Sequence, residues 1–286
     1  MVILVTGANG QLGQSLQWMV SKYPEVHFVF CSSTDLDITN LDHCDSVFTE
    51  IQPNYCINTA AYTAVDKAES EPEKAHLINV VGAQNLAEVC KKHQTTLLHL
   101  STDFVFDGDK NAPYTEEDIP NPTGVYGQTK LEGERAIQSV LEAYYIIRTS
   151  WVYSQFGNNF MKTMLRLASE RDSISVVNDQ IGTPTNALDL AEALIKIILT
   201  DIQQPTTDNF GIYHFSNEGS CSWYDFAKMI FEINNIRINL RPIPTTSFPT
   251  PARRPKYSVL DKAKIKAVFG IEINNWEQSI EKLKDN

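Results

Sequence analysis

The sequence predicts an α/β protein, a doubly wound parallel sheet with a smaller C-terminal lobe interleaved with it. Three observations carry this. An apolar run, Val2 to Val5, leads straight into glycines at 7, 10 and 13. Short β-rich runs then alternate with helical patterns over residues 1–150. Beyond them the order becomes irregular and ends in a proline-rich stretch. A chain of 286 residues has room for one large domain or two smaller ones around an ample core.

Val2 to Val5 is the kind of run that parallel sheets bury on both faces. In the turn that follows, Gly7 admits positive φ, Gly10 lets the backbone approach a ligand, and Gly13 lets a helix pack on the strand. The turn presents the N–H groups and positive dipole end of a helix to an anion such as a pyrophosphate. Further strands are expected at 27–31, 55–59, 96–100 and 144–149, with helices at 11–21, 41–51, 73–92 and 122–143. This alternation specifies parallel β–α–β units and hence a Rossmann-type sheet.

In the second half, helices are expected at 158–170, 186–200 and 223–234, and strands at 173–177 and 211–215. The prolines between 241 and 255 predict a stiff extended path without regular structure. The adjacent Arg253 and Arg254 within it suit gripping a phosphate, a plain linker being the alternative. Residues 1–150 are therefore expected to form a dinucleotide-binding domain to which about 178–215 return. Residues 151–286 would be mainly a substrate-binding lobe over a cleft at the sheet's carboxyl edge.

The formal net charge of −11 argues against a nucleic-acid partner and against anionic membranes. Anionic ligands must then be held by helix N-termini and local arginines. The glycines arrive before the apolar core of a signal peptide could form. The apolar stretch near 187–200 carries Asp189, Glu192 and Lys196, which makes it amphipathic and not a membrane span. The five cysteines include no C-x-x-C pair, and the six histidines show no ligand spacing. Reduced thiols, a cytoplasmic location and no metal are the expectation.

Tyr126 and Lys130 stand at i and i+4 of a predicted helix and so share a face. An ammonium beside a phenol predicts a lowered tyrosine pKa and proton exchange with a carbonyl or alcohol oxygen. Ser101 and Thr102 fall at the end of a strand, where one of the two hydroxyls can bond a reacting carbonyl oxygen.

These residues lie in TGANGQLG at 6–13, STDFVFDG at 101–108 and YGQTKLEGE at 126–134, to which NTAAYTAVDKAE at 58–69 adds a fourth motif. RTSWVY at 148–153, GNNF at 157–160, NDQIGTPT at 178–185, WYDFA at 223–227 and PTTSFPTPARRP at 244–255 follow. On them the chain resembles, nearly end to end, the extended short-chain dehydrogenase/reductases, and within these the family of dTDP-4-dehydrorhamnose reductases. The resemblance implies NAD(P)H-dependent reduction of the C4 ketone of a dTDP-linked 6-deoxy-4-keto sugar. It makes Tyr126 the proton donor, Lys130 its pKa-lowering and ribose-binding partner, and Thr102 the third catalytic residue. It gives the pyrophosphate turn to Gly7, Gly10, Gln11, Leu12 and Gly13, and the adenine flank to Asp37 and Ile38. Ala60, Ala61 and Tyr62 become a loop beside the cofactor. Trp151 becomes an aromatic near the substrate, and Val65, Asp66, Asn159 and Arg253 further nucleotide-sugar lining.

At the end of the second strand, Cys31 to Thr34 offers neither the acid of an NAD-selective fold nor an arginine. Ser32, Ser33 and Thr34 can bond a 2′-phosphate without requiring it, so NADPH is expected, with NADH accepted. The resemblance admits a homodimer. The magnesium-bridged form of some members needs an acid where this chain has Ser15. A nucleotide-sugar dehydratase would carry glutamate where Phe104 stands. A 4-epimerase stays open, separable by whether the cofactor leaves at each turnover. A non-catalytic dinucleotide-binding subunit, which related chains include, would have no need of the Thr102, Tyr126 and Lys130 set.

Overall fold

The computed structural model describes residues 1–284. Its strands are β1 (Val2–Thr6), β2 (His27–Cys31), β3 (Tyr55–Asn58), β4 (Thr96–Thr102), β5 (Tyr144–Thr149), β6 (Val152–Tyr153), β7 (Ser173–Val177), β8 (Ile181–Gly182), β9 (Thr185–Asn186), β10 (Gly211–His214), β11 (Cys221–Ser222) and β12 (Asn239–Ile243). The α-helices are α1 (Gln11–Met19), α2 (Leu41–Ile51), α3 (Val65–Ala68), α4 (Pro72–His76), α5 (Gly82–His93), α6 (Val125–Val140), α7 (Phe160–Glu170), α8 (Ala187–Gln203), α9 (Trp223–Ile233), α10 (Ala263–Phe269) and α11 (Trp276–Glu281).

Six parallel strands form one sheet in the order β10-β5-β4-β3-β1-β2. From β1 the chain moves outward to β2 and then returns across to β3. The order therefore reverses at β1, and a crevice opens at the strands' carboxyl ends. The sheet is the doubly wound one expected.

Each face of the sheet buries its own layer. Leu12 and Leu16 of α1 pack with Leu190, Leu194 and Ile198 of α8 and with Phe269 of α10. On the other side Phe48, Leu86 and Ile137, from α2, α5 and α6, cover the strands. Asp201 in α8 accepts hydrogen bonds from the Tyr55 and Tyr145 hydroxyls, both at 2.6 Å, tying that helix to β3 and β5. The second lobe has a separate core, in which Met161, Ile174, Phe226, Ile230 and Trp276 meet. All five cysteines are buried and unpaired. Among the described residues no helix is long and apolar enough to cross a membrane.

The helix expected at 73–92 is interrupted. A π turn, Leu77–Val81, separates α4 from α5, a single-turn insertion of the kind found inside longer helices. It orients Asn79, whose amide bonds the Tyr62 N–H at 2.9 Å, the Tyr62 carbonyl at 3.2 Å and the Thr129 hydroxyl at 3.1 Å. The helix expected from residue 122 begins at Val125, whose N–H donates to Glu69 Oε1 at 2.8 Å. The proline-rich stretch is also more regular than its composition suggests. Pro242 lies within β12, which among the described residues pairs in parallel with β7 alone, and proline is tolerated on such an edge.

Candidate active site

A cleft of about 1050 Å³ opens over the reversal point of the sheet. Its floor is the glycine turn. Gly7 sits at φ +67°, and a Cβ there would lie 2.7 Å from the Ala60 nitrogen. A Cβ on Gly13 would lie 2.5 Å from the Gly7 carbonyl oxygen, so Gly13 serves the packing of α1 on the turn and is not itself part of the wall. Gly10 caps α1 without a side-chain bond, which leaves first-turn N–H groups free to receive an anion. Gln11 crosses to the second lobe. Its Oε1 accepts from Ser154 Oγ at 3.1 Å and from Asn159 Nδ2 at 2.9 Å.

Thr102, Tyr126 and Lys130 line one stretch of this cleft. Thr102 ends β4, where its hydroxyl receives the Phe104 N–H at 3.2 Å. Ser101 is committed elsewhere. Its hydroxyl donates to Glu134 Oε1, and the Arg148 guanidinium grips the same carboxylate through Nε at 3.0 Å and Nη2 at 2.7 Å. Lys130 is buried, and its Nζ donates to the Leu100 carbonyl at 2.6 Å and lies 3.2 Å from His99 Nε2. Burial pulls the Lys130 ammonium down to about 8, with Glu134 opposing.

The expected lowering of the Tyr126 pKa is not what this geometry gives. Burial pushes the phenol up to about 12, the neighbouring Thr102 pulling down and the Asp103 charge adding to the rise. The Lys130 Nζ is held on the Leu100 carbonyl of the β4 backbone, and desolvation of the phenol prevails. Asp103 is buried too, and its carboxyl is raised to about 6.

A model of the RmlD substrate binding domain matches residues 1–286. The dTDP-4-dehydrorhamnose reductase of Aggregatibacter actinomycetemcomitans is 44% identical over 99% of this chain and 98% of its own length. The chain belongs to the dTDP-4-dehydrorhamnose reductase family. The reductase of Escherichia coli K12 is 40% identical over 99% of this chain and 97% of its own. Among solved structures, the dTDP-4-dehydrorhamnose reductase of Bacillus anthracis in complex with NADP superposes with a TM-score of 0.94. It is 41% identical and covers 99% of this chain and 98% of that one. The Clostridium acetobutylicum structure gives 0.93 at 43% identity, over 100% of this chain and 99% of that one.

Of the residues the family resemblance implied, Gly7, Gly10, Gln11, Leu12, Asp37, Ile38, Ala60, Ala61, Val65 and Trp151 also line the cleft. Ser32 and Ser33 join Asp37 and Ile38 in that wall. Others stand behind it. Tyr62 is buried and its hydroxyl donates to Glu71 at 2.9 Å. Asn159 caps α7, receiving the Lys162 N–H at 3.1 Å, and braces Gln11. Asp66 receives both terminal nitrogens of Arg254 at 2.8 and 2.7 Å. Arg254, not the exposed Arg253, reaches the wall. Trp223 was missed as a site residue. It lines the cleft with its indole flat on that of Trp151, and only the motif at 223–227 drew attention to its segment.

Proposed function

We propose that this protein is an NADPH-dependent oxidoreductase that reduces the C4 ketone of a dTDP-linked 6-deoxy-4-keto sugar, converting dTDP-4-dehydrorhamnose to dTDP-L-rhamnose. The observation that carries the reading is that Thr102, Tyr126 and Lys130 line the same cleft as the glycine turn. The residues present fit a dinucleotide. Side chains at Gly7 or Gly13 would collide with neighbouring backbone, and Ser32, Ser33, Asp37 and Ile38 form the wall at the end of β2. Bound NADPH would supply the hydride.

The remaining chemistry belongs to the protein. A phenol that holds its proton at neutral pH is in the correct state to act as a general acid, so the raised pKa of Tyr126 suits donation to the ketone oxygen as that oxygen becomes an alkoxide. Thr102 bonds the same oxygen and polarises the carbonyl. Lys130 holds the cofactor's ribose side of the cleft. Val65, Trp151 and Trp223 contact the nucleotide sugar, and Arg253, which has no ion-pair partner among the described residues, reaches its diphosphate from the rim. Gln11, Asp66, Asn159, Arg254 and Tyr62 keep the walls in place. Cytoplasmic operation without nucleic-acid or membrane partners belongs to the same reading and is supported by the charge of −11, and a homodimer is compatible with it.

The test is NADPH oxidation against dTDP-, UDP- and GDP-linked 4-keto-6-deoxy sugars. Turnover is expected with the dTDP sugar, and NADH should substitute with an efficiency within about two decades. No oxidation with any of the three would overturn the reading.

A further inference from the structure

A row of buried polar side chains crosses the sheet behind the cleft. Thr6, Asn58 and His99 occupy register-matched positions on β1, β3 and β4 and are 0%, 1% and 1% exposed. Their hydrogen bonds can be ordered from one fixed donor. The Ala60 backbone N–H donates to Asn58 Oδ1 at 3.1 Å, and the Thr6 hydroxyl donates to the same oxygen at 2.6 Å. Turning the Asn58 amide over would set an NH₂ against that N–H, so its orientation is fixed. Asn58 Nδ2 must then donate to His99 Nδ1, 2.9 Å away. A ring nitrogen that accepts carries no proton, so the neutral imidazole holds its hydrogen on Nε2. Nε2 lies 3.2 Å from Lys130 Nζ.

Two donors therefore meet when Lys130 is an ammonium. As a free amine, Lys130 turns its lone pair to the imidazole N–H and still donates to the Leu100 carbonyl at 2.6 Å. On the reading given above, we propose that His99 is a positioning residue for the reduction, whose Nε2–H, facing Nζ, disfavours the Lys130 ammonium and so sets the pH at which the lysine gives up its charge. The chain Ala60–Asn58–His99–Lys130 thus connects the cofactor loop after β3 to the charge state of the catalytic lysine. The depressed Lys130 pKa of about 8 agrees with this, and burial with the nearby lysine charge holds His99 well below the usual histidine range.

The other charged groups around Lys130 do not supply the effect. Glu134, one turn along α6, favours the ammonium, and its charge is matched by Arg148 from β5 at 2.7 Å. Asp103, beyond the end of β4, bears on Tyr126. Tyr126, one turn back on α6, is neutral at the pH values concerned.

Two measurements test the proposal. Nitrogen NMR of the cofactor-free protein reads the His99 tautomer, the resonance being assigned by its loss in His99→Asn. A proton on Nε2 is expected, and one on Nδ1 would overturn the proposal whether or not the enzyme turns over. His99→Asn keeps an acceptor near Asn58 and removes the N–H from Lys130. The alkaline limb of kcat should then move up by about one pH unit while the sugar KM at neutral pH stays within about twofold. An unmoved limb in a folded variant would overturn it. If His99→Asn does not fold, the wild-type tautomer and a direct titration of the Lys130 Nζ decide alone. Absence of turnover at every pH would count against the proposed reaction and would leave the tautomer result standing.

Discussion

The Trp151 indole lies flat on that of Trp223, with 3.5 Å between ring centroids and 10° between planes, and Gly182 abuts it. A Cβ at Gly182 would come within 2.5 Å of the Trp151 ring. Trp151 also holds φ at +46°, a left-handed conformation that costs a non-glycine residue on the order of 1–2 kcal/mol. Three constraints thus fix one aromatic where the chain leaves β5 for the second lobe.

Gly182→Ala should therefore push the Trp151 ring off its stack. The sugar KM is expected to rise about tenfold or more, while NADPH affinity, measured by calorimetry, stays at the wild-type value. An unchanged KM in a folded variant would remove Trp151 from the substrate wall.

Tyr126→Phe keeps the ring that packs edge-on to Phe104 at 5.6 Å and removes only the hydroxyl. Turnover should fall by about a hundredfold or more, as loss of a general acid does, with cofactor affinity scarcely altered. Lys130→Ala should damage both. Normal reduction by Tyr126→Phe would mean that another group protonates the oxygen.

The neighbouring arginines separate cleanly. Arg253→Ala should raise the sugar KM and leave kcat nearly unchanged, because uniform binding is lost. Arg254→Ala breaks the pair with Asp66, which is part-exposed at 25% and 40%, so its stability cost should stay below about 1 kcal/mol. Its kinetic effect should come through displacement of the 250–255 segment. A wild-type KM in Arg253→Ala would leave that side chain with no substrate role.

What could be read before the structure was local. The strand-to-glycine turn and the β–α alternation are written in consecutive residues, and Tyr126 and Lys130 share a face because helical geometry is fixed. What could not be read depends on distant partners. Lys130 finds His99 and Leu100 thirty or so positions back, and a pattern of i and i+4 spacing contains no term for the burial that raises Tyr126. The family resemblance points to Arg253, yet Arg254 turns inward, because the path of the backbone past Asp66 decides between the two guanidiniums. Trp223 was hidden for the same reason, its stack on Trp151 joining segments far apart in the chain.

Glu134 and Arg148 are 1% and 2% exposed. Arg148→Met would leave a buried carboxylate without its counter-charge, at a cost of about 3–5 kcal/mol in denaturant unfolding. The double variant Glu134→Leu, Arg148→Met should lose distinctly less than the single one. Equal losses would show that packing against Phe106, 5.2 Å from the guanidinium carbon, and not charge, is what matters.

His214 contributes to the pH dependence of stability. Burial, with Arg148 nearby, pulls its pKa from 6.5 down to about 3. The unfolded chain therefore binds a proton through that interval and the native state does not, so stability is lost as pH falls from about 6.5. Relative to His214→Gln, the wild type should weaken by about 1.4 kcal/mol per pH unit across that window. A pH-independent difference between the two would contradict the depressed pKa.

The sixth strand of the sheet, Gly211–His214, and the helix that covers α1, Ala187–Gln203, both come from late in the chain. A ribosome therefore releases Leu12 and Leu16 long before Leu190 and Leu194 exist to cover them. Until then one face of the nascent sheet is exposed and adhesive, and the edge at β5 is open to any strand that can pair with it. Truncation before residue 214 should accordingly yield an aggregating product instead of a free-standing dinucleotide-binding half.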